Sequence, residues 1–89
     1  PNNEERRFMR PKAAETIRGR LARADKPRAF WEGVIQQWIF CAADRRMLAR
    51  YHFDGATQEA IAEAELLSVH TVQRRLEAGT QRMIDKAGA

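Results

Sequence analysis

The sequence predicts an all-α protein built from four to five short helices. Residues that favour helices, such as Ala, Arg, Glu and Leu, are abundant, whereas the 89 residues include only five Gly and three Pro. Apolar residues also recur at helical spacing between the few turn signals, which lie at Pro11, Pro27, Asp54-Gly55 and Leu67-Ser68. A chain of this length buries one modest core, so the helices are expected to share it.

Two prolines place the first two helices. Pro11 suits the first turn of a helix, because its missing N–H leaves no hydrogen bond unmade, and the apolar spacing predicts a helix over about 11–24. A second helix follows Pro27 and is expected to be the most buried. Its apolar stripe consists of Phe30, Val34, Trp38 and Cys41, widened by Trp31, Ile35 and Ile39.

A third helix is predicted to begin at Asp44, whose carboxylate is suited to capping. Its apolar side is formed by Met47, Leu48, Tyr51 and Phe53. Its solvated side is formed by Arg45, Arg46 and Arg50. Asp54-Gly55 ends the helix, since glycine tolerates the positive φ of a helix terminus or tight turn. His52, near that end, is expected to have a structural role.

Two further helices have clear capping residues. Thr57 is predicted to cap a short fourth helix on which Ala60, Ile61 and Ala64 recur, and Ser68 to cap a fifth that runs to about Lys86. The connection between them, Glu65-Leu66-Leu67, has the length found in a helix-turn-helix. Around the fifth helix, the inner stripe is Val69, Val72, Leu76, Met83 and, at its edge, Ile84. The outer side is His70, Thr71, Arg74 and Gln81, bordered by Gln73.

The net charge of +4 is unevenly distributed along the chain. Residues 1–28 hold nine Arg or Lys against four Asp or Glu, whereas residues 29–89 hold seven against eight. We therefore divide the chain into a basic N-terminal tail and helix, 1–28, and a helix-turn-helix DNA-binding domain, 29–89. Positive charge favours a polyanionic partner, and Arg6, Arg7 and Arg10 are candidates for a basic arm along phosphates.

Other function classes find little support in the residues. The single cysteine, Cys41, can form no intramolecular disulfide, and no zinc site of the usual four-ligand type can be assembled. No group of residues supplies a nucleophile, a base and an orienting side chain together, so we expect neither enzymatic activity nor a cofactor. The longest apolar stretch, around 30–43, contains polar residues and is too short to span a bilayer. We expect a cytoplasmic protein.

The outer side of the fifth helix carries residue types that recognise DNA. Arginine can donate two hydrogen bonds to guanine, glutamine can pair with adenine, and threonine or histidine can bond bases or phosphates. Thr57 and Gln58, at the start of the fourth helix, offer a hydroxyl and free N–H groups to a phosphate. Glu59, Glu63 and Glu65 would repel DNA, and we expect them to face away from it or toward another protein.

A longer pattern runs through residues 44–84: a charged helix, a Gly-containing turn, and then Thr, Glu-x-Ile-Ala, Ser, Thr-Val and Arg-Leu. The corresponding residues are Arg50-Tyr51-His52-Phe53, Asp54-Gly55, Thr57, Glu59-Ala60-Ile61-Ala62, Ser68, Thr71-Val72 and Arg75-Leu76. This pattern resembles region 4 of the sigma-70 family and the sigma-like regulators of bacteria and phages. By position, the resemblance places base-reading roles on His70, Thr71, Gln73 and Arg74, and backbone contacts on Thr57, Ser68 and Arg75.

The chain departs from that family in two respects. Gly79-Thr80 interrupts the fifth helix, where glycine should loosen it by roughly 1 kcal/mol relative to alanine and favour a bend or an end. The sequence also contains nothing resembling sigma region 2, so as given it has no promoter-opening part.

Three hypotheses about function follow. The first is a sequence-specific transcription regulator that binds double-stranded DNA and associates with the nucleoid. The second is an interaction module that docks on RNA polymerase or another transcription protein. The third is a homodimer or larger homo-oligomer, assembled through helix one or through the tryptophan face of helix two.

Overall fold

A computed structural model describes residues 16–88, and this part of the chain contains five α-helices and no strand. The helices are α1 (Ile17–Arg23), α2 (Arg28–Trp38), α3 (Ala42–His52), α4 (Gln58–Glu65) and α5 (Val69–Ala87). The all-α prediction is therefore confirmed. Pro11 and the three arginines of the basic arm lie outside the described residues. Among the described helices, none is both long enough and apolar enough to cross a bilayer.

Helix α5 is the element on which the other four helices pack. It has 19 residues, so it is roughly 28 Å long. Its inner stripe, which has no exposed surface, consists of Val72, Leu76, Thr80 and Met83. Val69 was predicted to share that stripe, but it is 39% exposed. The reason is its place in the first turn of the helix, which the core does not reach.

The buried side of helix α2 matches the predicted stripe in part. Its buried residues are Trp31, Val34 and Ile35, whereas Phe30 is exposed. The helix ends at Trp38, and the extended connection that follows buries Ile39. Cys41, which was placed on the same stripe, is exposed and immediately precedes α3. The prediction is wrong at Cys41 because it assumed helical spacing beyond the helix end.

Helix α3 begins two residues before the predicted cap. Cys41 occupies the capping position without a side-chain hydrogen bond, and Asp44 lies inside the first turn. Met47, Leu48 and Tyr51 are buried as predicted. On α4, by contrast, Ile61 and Ala62 form the buried pair, and two of the predicted apolar positions, Ala60 and Ala64, are exposed.

The caps of α4 and α5 and the turn glycine Gly55 lie where the sequence predicted them. Thr57 Oγ1 accepts from Ala60 N at 3.1 Å, and Ser68 Oγ accepts from Thr71 N at 3.0 Å. Gly55 has φ of +74°, the positive value expected for the turn after α3. These local hydrogen bonds fix the first residues of α4 and α5, which are the helices of the candidate site.

Helix α1 is fastened to the rest of the molecule by its apolar side and by Arg18. Ile17 and Leu21 are buried in the same cluster as the other helices. The Arg18 guanidinium lies 4.0 Å from the centroid of the Tyr51 ring. It donates to the carbonyl oxygens of Tyr51 at 3.1 Å and Ala56 at 2.7 Å. Arg18 therefore ties α1 to the end of α3 and to the turn that follows.

Gly79 neither bends nor ends α5, contrary to the expectation from its helix propensity. The helix continues to Ala87. A Cβ at Gly79 would lie 2.8 Å from Cδ1 of Leu48, a buried residue of α3. The missing side chain therefore allows α3 and α5 to approach closely, and this packing outweighs the weak propensity.

A polar contact is enclosed beside this close approach. His52 Nε2 and Thr80 Oγ1 lie 2.8 Å apart in a hydrogen bond that joins α3 to α5. Thr80 has no exposed surface, and His52 is partly buried. Burial of the ring, together with the nearby positive charge of Arg18, lowers the pKa of His52 to about 4. The neutral form of His52 is therefore part of the fold.

The free energy of unfolding should fall as the pH decreases from about 6.5 to about 4. In this window the unfolded chain binds a proton at His52 and the folded chain does not, so folding is disfavoured by at most about 1.4 kcal/mol per pH unit. Urea unfolding at several pH values, with His52→Gln beside the parent, measures this. The variant should lose the extra pH dependence. His70→Gln, at the chain's other, exposed histidine, should keep it, and identical pH profiles for all three proteins would contradict the expectation.

Candidate nucleic-acid interface

The connection between α4 and α5 has three residues, Leu66, Leu67 and Ser68. Leu66 adopts the left-handed conformation, with φ 58° and ψ 44°, and is 90% exposed. Leu67 is half-buried and packs on the core, and its N–H donates to the carbonyl oxygen of Ala62 at 3.0 Å. A left-handed leucine is uncommon and costs free energy, so hydrogen bonding and the burial of Leu67 must hold this turn in place.

A bidentate ion pair secures the end of α4. Arg46 of α3 donates from Nε and Nη2 to the two carboxylate oxygens of Glu65, at 2.9 and 2.8 Å. The hydrogen bonds and charge of Arg46, with further contributions from Arg50 and Arg75, lower the pKa of Glu65. Glu65 is thus held ionised in a positive environment, directly before the connection. The pair fixes the point at which the chain leaves α4.

A second ion pair secures the start of α5. Arg75 donates from Nε to Oδ1 of Asp44 at 2.8 Å, and its Nη2 lies 3.3 Å from Sγ of Cys41. Asp44 therefore serves as a partner for α5 instead of capping α3. The sequence pattern predicted that Arg75 lies near the DNA backbone. Its contacts with Asp44 and Cys41 already occupy two of its three guanidinium nitrogen atoms, so one is left for a phosphate.

The first turns of α5 expose one continuous face. It consists of Val69, His70, Gln73 and Arg74. Thr71, which was predicted to read bases, is half-buried, and its Oγ1 accepts a hydrogen bond from Ser68 Oγ at 2.9 Å. The structure therefore brings together three of the four predicted base-reading residues, adds Val69 to them, and ties the fourth into the helix cap.

Arg74 differs from most cations of the described part of the chain. Within residues 16–88, the guanidinium groups of Arg23, Arg50 and Arg74 have no hydrogen bond, ion pair or aromatic contact with another described residue. The remaining arginines and lysines there each contact a carboxylate, an amide, a backbone carbonyl or a ring. Of the three, only Arg74 lies on the exposed face of α5.

Only some of the other predicted contacts fall within the described residues. Thr57 is exposed at the start of α4, with Gln58 half-buried beside it. Gln81, predicted to face outward, accepts from Arg20 of α1 at 2.9 Å and donates to Asp85 at 2.9 Å. The basic arm, Arg6, Arg7 and Arg10, lies outside the described residues.

Acidic residues are also exposed on α4 and α5. Glu59 and Glu63 are exposed on α4, and Glu77 is exposed on α5 one turn beyond Gln73 and Arg74. A polyanion that follows the exposed face of α5 toward its C-terminus would meet the carboxylate of Glu77. The negative charge of Glu77 therefore confines the region that is electrostatically favourable for a polyanion to the first two turns of α5.

Sequence reasoning missed both ion pairs that position the site. Asp44 and Arg75 are 31 residues apart, and Arg46 and Glu65 are 19 apart, so neither pair has a helical spacing that would reveal it. In the sequence, only their opposite charges indicate that these residues can pair.

The described part of the chain contains no group of three His, Cys, Asp or Glu side chains that could hold a metal ion.

Comparison of the chain with models of protein families, with curated proteins and with solved structures gave no match. The resemblance to sigma region 4 therefore stays a prediction from the sequence pattern.

Proposed function

We propose that this protein is a sequence-specific transcription regulator that binds double-stranded DNA, and that α4 and α5 form a helix-turn-helix like that of sigma region 4. One observation carries the proposal. The first turns of α5 have a fully buried side, and the opposite side presents hydrogen-bonding residues that have no partner among the described residues. A recognition helix needs both properties, because it must be held by the domain while its free face enters the major groove.

The exposed face offers a specific combination of base contacts. Arg74 can donate two hydrogen bonds to guanine, and Gln73 can pair with adenine. His70 can bond a base edge or a phosphate. Val69, which the structure places on this face, offers an apolar contact for the methyl group of thymine. The site would read a short sequence containing guanine.

Phosphate contacts would come from the edges of the same surface. Thr57 and Gln58 present the N-terminal N–H groups of α4, and Ser68 does so for α5. Arg50, exposed and close enough to Glu65 to affect its pKa, would supply a further positive charge. Arg75 retains one nitrogen for a phosphate, but its principal role is to position α5 through Asp44.

Selection of binding sites from a random duplex pool tests the proposal. We expect a recovered motif that contains a conserved guanine, and an affinity for that motif that falls as salt is raised because counterions are released from phosphates. Fluorescence anisotropy at two salt concentrations, with the selected duplex and a scrambled one, measures both effects. Equal affinity for the two duplexes, or no enrichment, would favour the docking-module hypothesis.

A further inference from the structure

A second surface lies on the connection between α2 and α3 and on the last turns of α5. It consists of two aromatic residues and two cations, Trp38, Phe40, Arg82 and Lys86, and we call it the aromatic–basic patch. Lys86 Nζ is 4.4 Å from the centroid of the Trp38 ring, and the Arg82 guanidinium is 5.6 Å from that of Phe40. None of these contacts belongs to the proposed DNA-reading face.

Hydrogen bonds to the backbone on either side of Phe40 hold this residue in an exposed position. Arg82 Nε donates to the carbonyl oxygen of Trp38 at 2.8 Å, and Arg45 donates to the carbonyl oxygens of Gln36 and Ile39. Alternation along this extended stretch buries Ile39 and leaves Phe40 71% exposed. A fixed, exposed phenylalanine contributes little to the core, and such anchored aromatic side chains are typical of protein interfaces.

The positive charge of the patch is not compensated by a carboxylate of the described residues. Within residues 16–88, neither Arg82 nor Lys86 forms an ion pair with a carboxylate. Asp85, the nearest acid in sequence, accepts a hydrogen bond from Gln81. Arg82 uses only Nε in its hydrogen bond to Trp38, so its two terminal nitrogens are free to bind a carboxylate in the described structure.

We propose that the aromatic–basic patch docks an acidic segment of another protein that also carries apolar side chains. Carboxylates of the partner would bind Arg82 and Lys86, and an apolar side chain would cover Phe40. A second copy of this chain fits less well, because a two-fold contact of the patch with itself would supply no carboxylate for Arg82 and Lys86. A nucleobase fits less well, since Lys86 and Arg82 already cover one face of each ring.

The patch is compatible with simultaneous DNA binding. Arg82 and Lys86 follow Arg74 by eight and twelve residues along α5, which corresponds to roughly 12 and 18 Å along the helix axis. A recognition helix contacts base edges mainly with its N-terminal residues, so the end of α5 that carries the patch is not required for these contacts. A partner could therefore bind this end while the first turns of α5 contact bases.

Titration with a short blocked peptide, in which Glu alternates with Leu and Phe, tests the proposal. Trp38 is half-buried in the patch whereas Trp31 is buried in the core, so tryptophan fluorescence reports binding at the patch. Phe40→Ala and Arg82→Ala should each weaken binding about fivefold or more. Leu66→Ala, an exposed leucine outside the patch, and Arg74→Ala should bind the peptide as the parent does.

Four results would overturn the proposal, and the first three concern the peptide. The peptide could fail to bind the parent, it could bind Phe40→Ala and Arg82→Ala unchanged, or a control peptide with Lys in place of Glu could bind equally well. If the protein bound an oligothymidylate more tightly than the acidic peptide, and if that binding depended on Phe40, the patch would instead be a site for single-stranded nucleic acid. Circular dichroism checks that both variants are folded. DNA site selection with Phe40→Ala and Arg82→Ala should return the parent's motif. Peptide binding and DNA binding are therefore tested separately, and either proposal can fail without the other.

Discussion

Replacing Leu76 with alanine should lower the free energy of unfolding by roughly 2–5 kcal/mol. Leu76 has no exposed surface and lies in the middle of the inner stripe of α5, the helix that contacts the other four. Truncation removes buried apolar surface and leaves a cavity that several helices would have to close together. For a domain whose total stability is about 5–15 kcal/mol, such a loss unfolds a large fraction of the molecules.

Thermal and urea unfolding measure this loss, and the matched control is another leucine. Leu66 is 90% exposed, so Leu66→Ala should change the unfolding free energy by no more than about 0.5 kcal/mol. If Leu76→Ala were as stable as the control, the assignment of inner and outer faces of α5 would be wrong. The proposed recognition face would then be wrong with it.

The sequence predicted the elements whose determinants are local. Thr57 and Ser68 are caps because a hydroxyl reaches an N–H three residues ahead, and this needs no knowledge of the remaining fold. Gly55 likewise adopts the positive φ that its turn requires. The apolar residues of α3 were also found, since Met47 and Leu48 are one turn away from Tyr51 and all three share one face.

Prediction failed where the outcome depends on how far a helix extends. Cys41 has the spacing of a core residue only if α2 continues through it, but α2 ends at Trp38. Val69 has the spacing of the inner stripe, yet the core does not extend to the first turn of α5. Periodicity gives the direction of a side chain around a helix, but it does not show where along the axis a neighbouring helix lies.

Tertiary packing determined the part of α5 around Gly79. Helix propensity disfavours glycine, but the close approach of Leu48 makes a small residue necessary there. Thr80 is polar and was therefore left out of the inner stripe, although it lies one turn after Leu76. Its burial depends on a hydrogen-bond partner, His52, which is 28 residues away in sequence. A partner so distant could not be identified from local pattern.

The candidate site was predictable to a similar extent. His70, Gln73 and Arg74 are exposed, as the pattern indicated, whereas Thr71 takes part in the cap of α5. The exposure of a face follows from periodicity once the buried stripe is known. The ion pairs of Asp44 and Glu65 that position this face cannot be inferred from periodicity, because ion pairs between helices depend on how the helices pack.

Arg74→Ala should weaken binding to the selected DNA motif by about 1–3 kcal/mol and leave binding to unrelated DNA nearly unchanged. The reason is that Arg74 is exposed on the face opposite Leu76 and makes no contact with another described residue that would hold it away from DNA. One position of the motif should become tolerant of other bases. Arg74→Lys retains the charge without the planar pair of donors, so it should lose the same base preference and likewise leave binding to unrelated DNA nearly unchanged.

Arg50→Ala is the matched control, because Arg50 is an exposed arginine that also lacks a partner among the described residues but lies on α3. If Arg50 contacts a phosphate, its loss should weaken binding to all duplexes by a similar factor. The slope of log affinity against log salt concentration should also fall by about the amount expected for one phosphate contact. Site selection and anisotropy with the three variants distinguish the two roles. Were Arg74→Ala to return the parent's motif at the parent's affinity, Arg74 would not read DNA. The free face of α5 would then be better explained as a surface for another protein.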